Sequence, residues 1–341
     1  MLAKGDINKI KEELDNCKNP LFFFHDDPDG LCSFLLLYRY MREGHGVVFK
    51  SKPGLGKNFL KYIEDYGPDK VFILDIPLVD QEFIDGAKVP VIWVDHHTPQ
   101  ERSNVKYFNP RINNEGDGVS VTRICYEVVK QDMWIAATGC IGDWQIPDFF
   151  EDFKKEYGHL ADVETDNPGK VYFETKLGRL VRVFSYILKG KTSEVIKCFK
   201  ILTRVEHPDE ILEQNTSQGK FIYKRFEKIN EEYEGLLNDA LKKVGKDKLL
   251  IYVYSENQMS FSGDLSNELL YRHPDKLVII GREKSGEVRM SLRSSKVELQ
   301  GVIEKALLGL EGYGGGHEYA CGANVKREDF DKFIENIREQ I

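Results

Sequence analysis

The chain has no C-x-x-C pair. Its six cysteines (Cys17, Cys32, Cys125, Cys140, Cys198 and Cys321) are scattered, and several lie in apolar runs. This spacing argues against structural zinc and against a disulfide framework, leaving buried, reduced thiols as the expectation. No apolar run approaches the ~18 residues needed to span a bilayer. The opening residues, MLAKGDINKIKEELD, are charged and helix-like and lack the apolar core of a signal peptide. A soluble, cytoplasmic protein without membrane contact is expected. Positive charge is not in excess either: the formal net charge is -8, so there is no basic footprint for nucleic acid. That exclusion is weak, because carboxylates gathered around cations lower the formal charge while the loaded site still attracts phosphate. Internal repeats and low-complexity tracts are also missing.

What is present suits two domains. The chain has 341 residues, 41% hydrophobic and 30% charged, enough for substantial cores. In the first half, short β-branched or aromatic runs at 21–24, 47–49, 71–74 and 91–94 alternate with helical patterns at 31–43, 58–66 and 79–87. Buried parallel strands read this way. Residues 149–245 are highly charged and helical in pattern, with one long amphipathic helix over 221–244. Strand signals return at 249–254, 277–281 and 287–293, with helices near 265–271, 299–308 and 328–341. The expected architecture is α/β: an N-terminal doubly wound parallel sheet (1–185), a helical bridge (186–245) and a smaller C-terminal α/β domain (246–341).

Three of the N-terminal runs stop at groups able to bind cations: Phe24 into His25, Leu74 into Asp75, Val94 into Asp95. Open parallel sheets bind ligands beyond the carboxyl ends of their strands, so these groups should line one cleft. In His25-Asp26-Asp27-Pro28-Asp29-Gly30, ligands at alternate positions, closed by a glycine that turns the chain into a helix, suit a hard divalent cation. Alone, the segment reads equally well as an acidic helix cap. Asp75 alone is an ordinary solvated strand end. In Asp95-His96-His97 one imidazole can bind metal and the other reach substrate, with the preceding carboxylate accepting a remaining N–H; two solvated histidines are the plainer alternative. The segment 138–144 reads as a small-residue turn presenting Asp143. Near the C-terminus, Gly312-Tyr313-Gly314-Gly315-Gly316-His317 reads as a glycine-rich loop whose backbone N–H groups could face an oxyanion, with His317 beside them. Arg293, on the strand before it, could grip a phosphate bidentately. In isolation these are a tight turn and a surface charge.

Taken in order, the four N-terminal segments resemble the motifs of the DHH phosphoesterase family: H-x-D-x-D-G, a strand-end Asp, D-H-H and a late G-D. Gly314-Gly315-Gly316-His317-Glu318-Tyr319-Ala320-Cys321-Gly322 is similar to the G-G-G-H-x-x-A-x-G signature of the first type of DHH-associated C-terminal domain. The resemblance implies two divalent ions. Asp75 would bridge them, His25 and Asp27 would serve one, and Asp29, His96 and Asp143 the other. His97 would face the substrate, with Asp95 orienting its neighbour His96. Gly314, Gly315, Gly316, His317 and Arg293 would bind substrate. Paired cations of this kind acidify a water and clamp attacking and leaving oxygens. Carboxylate and imidazole ligands favour Mn²⁺, with Mg²⁺ as the alternative.

The implied function is a phosphodiesterase or exonuclease releasing nucleoside monophosphates from single-stranded DNA or RNA or from short oligonucleotides, as in archaeal RecJ-like enzymes. The oligoribonuclease and 3′-phosphoadenosine-phosphate phosphatase type, and cyclic-dinucleotide hydrolysis, are the rivals. A non-catalytic replication scaffold would not need the whole ligand set. Oligomeric state is left open, a homodimer or a replication or repair partner included.

Overall fold

The computed structural model describes residues 1–50, 54–256 and 259–341. They form two compact units, Met1–Phe226 and Glu227–Ile341.

The first unit is built on α1 (Lys4–Asp15), β1 (Pro20–His25), α2 (Pro28–Met41), β2 (His45–Phe49), α3 (Leu60–Tyr66), β3 (Lys70–Leu74), α4 (Gln81–Gly86), β4 (Val91–Val94), β5 (Lys106–Phe108), α5 (Val121–Val129) and α6 (Met133–Gly142). Further helices follow: α7 (Phe150–Tyr157), α8 (Pro168–Glu174), α9 (Lys176–Ile187), α10 (Thr192–Leu202), α11 (Pro208–Leu212) and α12 (Ser217–Leu241), the last of which contains the division between the units.

The five strands are all parallel, in the order β2-β1-β3-β4-β5. Both faces are covered, which is why the strands read as unbroken apolar runs. Leu21, Phe23, Ile73 and Trp93 pack with Ile63 of α3 and Phe83 of α4 on one face. On the other, the Phe24 ring stacks on Phe34 of α2 at 4.6 Å and meets Phe199 of α10 edge-on at 5.4 Å. The charged helical segment therefore contributes to the core of the sheet. β5 escaped the sequence reading because it is a three-residue edge strand with one buried side chain. The connections reverse direction between β1 and β3, which opens a crevice beyond their carboxyl ends.

The second unit comprises β6 (Leu249–Tyr254), α13 (Ser262–Arg272), β7 (Leu277–Lys284), β8 (Glu287–Arg293), α14 (Leu299–Ala306), β9 (Gly312–His317), β10 (Ala320–Lys326) and α15 (Phe330–Arg338). Its sheet runs β6-β7-β8-β10-β9, parallel between β6 and β7 and antiparallel elsewhere. Alternate residues Val288, Met290 and Leu292 of β8 are buried with Ile303, Phe333 and Ile337 of the helices.

One expectation is corrected here. The glycine-rich segment is not a loop but the exposed edge strand β9, paired with β10 from Gly312↔Val325 to His317↔Ala320. Glycine has poor strand propensity, so sequence pattern points away from this. Close approach requires glycine here: a Cβ on Gly314 would come within 2.7 Å of Ile303 on α14 and one on Gly316 within 2.5 Å of the Ala320 carbonyl oxygen on β10.

All six cysteines are buried. Among the described residues no helix is long and apolar enough to cross a membrane.

Candidate metal centre

The chain leaves β1 at His25 and enters α2 almost at once. Asp27 is the N-cap: one carboxylate oxygen accepts from the Gly30 amide at 2.9 Å, and the other lies 2.5 Å from His25 Nδ1. The acidic-cap reading and the ligand reading thus describe the same side chain. Gly30 lies inside the helix rather than at a turn before it. Its role is close approach, since a Cβ there would sit 2.5 Å from the His25 carbonyl oxygen and 2.6 Å from its nitrogen. Asp29, two residues into α2, is buried. Its carboxylate accepts from the first amides of α5, Val121 N at 2.9 Å and Thr122 N at 2.6 Å, so it rests on the positive end of that helix.

Asp75 follows β3 with φ +60°, a left-handed conformation that Asp adopts more readily than most residues. Its amide still donates to the Val94 carbonyl at 3.0 Å. The residue is 1% exposed, and among the described residues Oδ1 accepts no hydrogen bond. A buried carboxylate oxygen without a donor is costly, and a divalent cation is a partner that would relieve it. The residues present therefore fit a metal.

After β4 the two imidazoles diverge. His96 Nε2 lies 3.3 Å from Asp75 Oδ1 and 3.9 Å from Asp29 Oδ2, and its Nδ1 is 3.7 Å from Asp143 Oδ2. The fully buried carboxylate of Asp95 turns to His97 rather than to His96. It accepts from the His97 amide at 3.1 Å and lies 2.8 Å from His97 Nδ1. His96 Nδ1 instead faces the Gly118 carbonyl at 3.3 Å. Asp95 is itself held by Tyr107 Oη and Asn109 Nδ2, each at 3.3 Å, two positioning residues that the sequence reading missed because one lies in the short β5 and the other directly after it.

The turn expected around Asp143 is the end of a helix. Asp143 is the C-cap of α6, which packs closely against α2 and α5. A Cβ on Gly139 would be 2.3 Å from Thr122 Oγ1 and 2.7 Å from Cys32 Cβ. A carboxylate at the negative end of a helix is unfavourable by itself, which again calls for a cation.

Three groups of side chains bring their ligand atoms within 4.8 Å of one another: His25, Asp27 and Asp75; Asp29, His96 and Asp143; and Asp75, His96 and His97. Asp75 belongs to two of these groups. Arg293 and the glycines lie in the second unit. Arg293 Nε donates to Asn267 Oδ1 at 2.8 Å and Nη1 to the carbonyls of Leu292 and Cys321 at 2.9 and 3.3 Å, while Nη2 has no partner among the described residues.

The electrostatics describe a site short of positive charge. Burial and the Asp75 carboxylate push Asp29 up to about 7, and burial with Asp29 raises Asp143 well above the carboxylate range. Burial alone would lower His25, but Asp27 and Asp75 raise it to about 12. His96 rises to about 11 against the same burial, through Asp75, Asp29 and Asp143. Burial also pushes up the nearby thiols of Cys32, Cys125 and Cys140, which removes thiolate from the ligand set.

Comparison with known proteins agrees with this geometry. A model of the DHH family, N-terminal domain, matches residues 21–143, and one of the DHHA1 domain matches residues 220–341. No curated protein sequence matches. Among similar solved structures, RecJ from Thermus thermophilus in complex with Mn²⁺ has a TM-score of 0.70 at 15% identity, covering 99% of this chain and 55% of that one. An exonuclease RecJ bound to manganese gives 0.64 at 14% identity, covering 99% and 94%. The pGpG-specific phosphodiesterase PggH from Vibrio cholerae gives 0.52 at 13% identity, covering 94% and 98%. This chain thus spans about half the length of the Thermus protein, and at these identities the likeness is one of fold.

Proposed function

We propose that this chain, which carries a match to the DHH family's N-terminal domain followed by one to a DHHA1 domain, is a metal-dependent phosphodiesterase of the DHH family. It acts as an exonuclease on single-stranded DNA or RNA, or on short oligonucleotides, and releases nucleoside monophosphates. The observation that carries this reading is the placing of Asp75 in two ligand groups, with a buried Oδ1 that accepts no hydrogen bond among the described residues.

In this reading His25 and Asp27 would hold one divalent ion, Asp29, His96 and Asp143 the other, and Asp75 would serve both. Mn²⁺ fits carboxylates and imidazoles without thiolate, with Mg²⁺ as the alternative. When bound, such a pair supplies charge neutralisation at the phosphate and acidifies water. His97 is held at Nδ1 by Asp95. Burial would lower its pKa, but Asp95 and Asp75 raise it above the usual imidazole range, which keeps a proton available for a phosphate or leaving-group oxygen. In the second unit, Gly314, Gly315, Gly316 and His317, along the edge strand β9, and Arg293 are the proposed substrate-binding groups.

The test is a time course on 5′- and 3′-labelled oligonucleotides of several lengths, with Mn²⁺ or with EDTA. Stepwise release of mononucleotides in Mn²⁺, absent in EDTA, is expected. No cleavage at any length in Mn²⁺, or cleavage indifferent to EDTA, would refute the proposal.

A further inference from the structure

Immediately after Asp143 the chain does something that helix geometry alone does not require. The Trp144 amide donates to the Ile141 carbonyl at 3.1 Å and the Gln145 amide to the Cys140 carbonyl at 2.9 Å. This pair of bonds closes α6 and places Trp144 at the position usually occupied by glycine. Trp144 has φ +57°. A bulky residue in this region is a true outlier, and such outliers gather at functional sites.

The ring is also out of place by burial. Of the three tryptophans, Trp93 and Trp134 are 0% and 1% exposed, whereas Trp144 is 38% exposed. It is nonetheless well supported. Its ring stacks on Tyr172 of α8, with centroids 5.2 Å apart and planes within 10°, and Phe173 leans against it at 5.9 Å. Both chain neighbours are tied to the candidate metal centre. Asp143 is one of the grouped ligands, and Gln145 donates to Asp143 Oδ2 at 2.8 Å while accepting from the Ser120 amide at 2.9 Å.

We infer that Trp144 is a stacking platform for the nucleobase adjoining the phosphate held at the metal centre. This rests on the phosphodiesterase reading above and narrows it to substrates that carry a base beside the scissile bond. An ionic centre and an aromatic face, one residue apart, match the two halves of a nucleotide. An inorganic phosphoanhydride would have no use for the ring. Stacking tolerates any base, because every base has a π-face, so this subsite binds without reading sequence.

The experiment uses the full chain and the variants Trp144→Gly and Trp144→Phe. Glycine suits the left-handed position, so Trp144→Gly keeps the turn and removes only the ring. With the other tryptophans buried, emission open to aqueous quenchers belongs to Trp144. In Mg²⁺, adenosine 5′-monophosphate should quench it and ribose 5-phosphate should not. With a short oligonucleotide, Trp144→Gly should raise KM about tenfold, the scale of one base–aromatic stack, with kcat within about twofold. On an abasic oligonucleotide it should change neither, and Trp144→Phe should restore part of the loss. Equal quenching by both phosphates, or equal KM changes on base-bearing and abasic substrates, would overturn the inference. So would a concentration-dependent dimer lost in Trp144→Gly without any nucleotide quench, which would assign the ring to an interface between copies. If the wild-type protein cleaves no oligonucleotide, the phosphodiesterase reading fails, and the nucleotide-selective quench still decides the platform.

Discussion

Replacing Asp75 by Asn should lower kcat/KM on every phosphodiester substrate by about a thousandfold or more, and should abolish the rise in melting temperature that Mn²⁺ gives the wild-type protein. The scale follows from the position. Loss of a residue that merely orients a ligand costs about 10–100-fold, whereas Asp75 lies in two of the three ligand groups and would touch both ions. Asn is the informative substitution because it tolerates the left-handed φ of +60° nearly as well as Asp. Alanine would add a backbone penalty and confuse the result. The amide bond from Asp75 to Val94, which joins the ends of β3 and β4, is a main-chain bond and survives. The metal-free variant should therefore melt within a few degrees of wild type. Thermal melts with and without Mn²⁺, beside the oligonucleotide assay, separate lost chemistry from lost fold. An Asn variant that keeps the Mn²⁺ shift would show that Asp75 is not a ligand.

The stabilisation by Mn²⁺ should grow steeply as pH rises. In the metal-free protein Asp29 is raised from 3.8 to about 7 by burial and Asp75, so the folded state holds a proton that the unfolded chain has released. Stability from this group is full below the unfolded value and drains away as pH climbs to about 7. The imidazoles act in the same direction at higher pH. Against burial, neighbouring carboxylates raise His25 to about 12 and His96 to about 11, so their contribution is present below the ordinary histidine value of 6.5 and is lost as pH rises through those figures. Asp27 has the opposite sign. Burial would raise it, but His25 depresses it to about 2, so its contribution is already complete above 3.8 and is flat across neutral pH. Metal binding requires these groups deprotonated, so each proton displaced strengthens apparent affinity about tenfold per pH unit. The Mn²⁺-induced melting shift should thus be small near about pH 5.5 and large near about pH 8. A shift that does not vary with pH would contradict the electrostatic picture of the site.

How much of this was legible in the sequence depended on what each residue's neighbours were. The ends of β1, β3 and β4 could be read because a strand buried on both faces is a continuous apolar run, and His25, Asp75 and Asp95 interrupt it abruptly. The helix α6 could not, because Gly139 and Gly142 make the segment 138–144 look like a turn until the neighbours that demand small residues are known. Pro28 lies only 2.6 Å from where a Gly142 Cβ would be. The pairing of Asp95 with His97 rather than His96 depends on χ angles and on Asn109, fourteen residues away. Adjacency in sequence does not encode such a choice. The strand β9 was hidden for a different reason: glycine carries no side chain to show periodicity, and the evidence for pairing lies wholly in the partner β10.

Anomalous diffraction at the manganese edge, from crystals of the full chain grown with Mn²⁺, is the direct test of whether Asp75 stands between two cations. Two peaks about 3.5–4 Å apart are predicted, with Asp75 between them, His25 and Asp27 beside one and Asp29, His96 and Asp143 beside the other. A single peak, or peaks that leave Asp75 Oδ1 untouched, would contradict it.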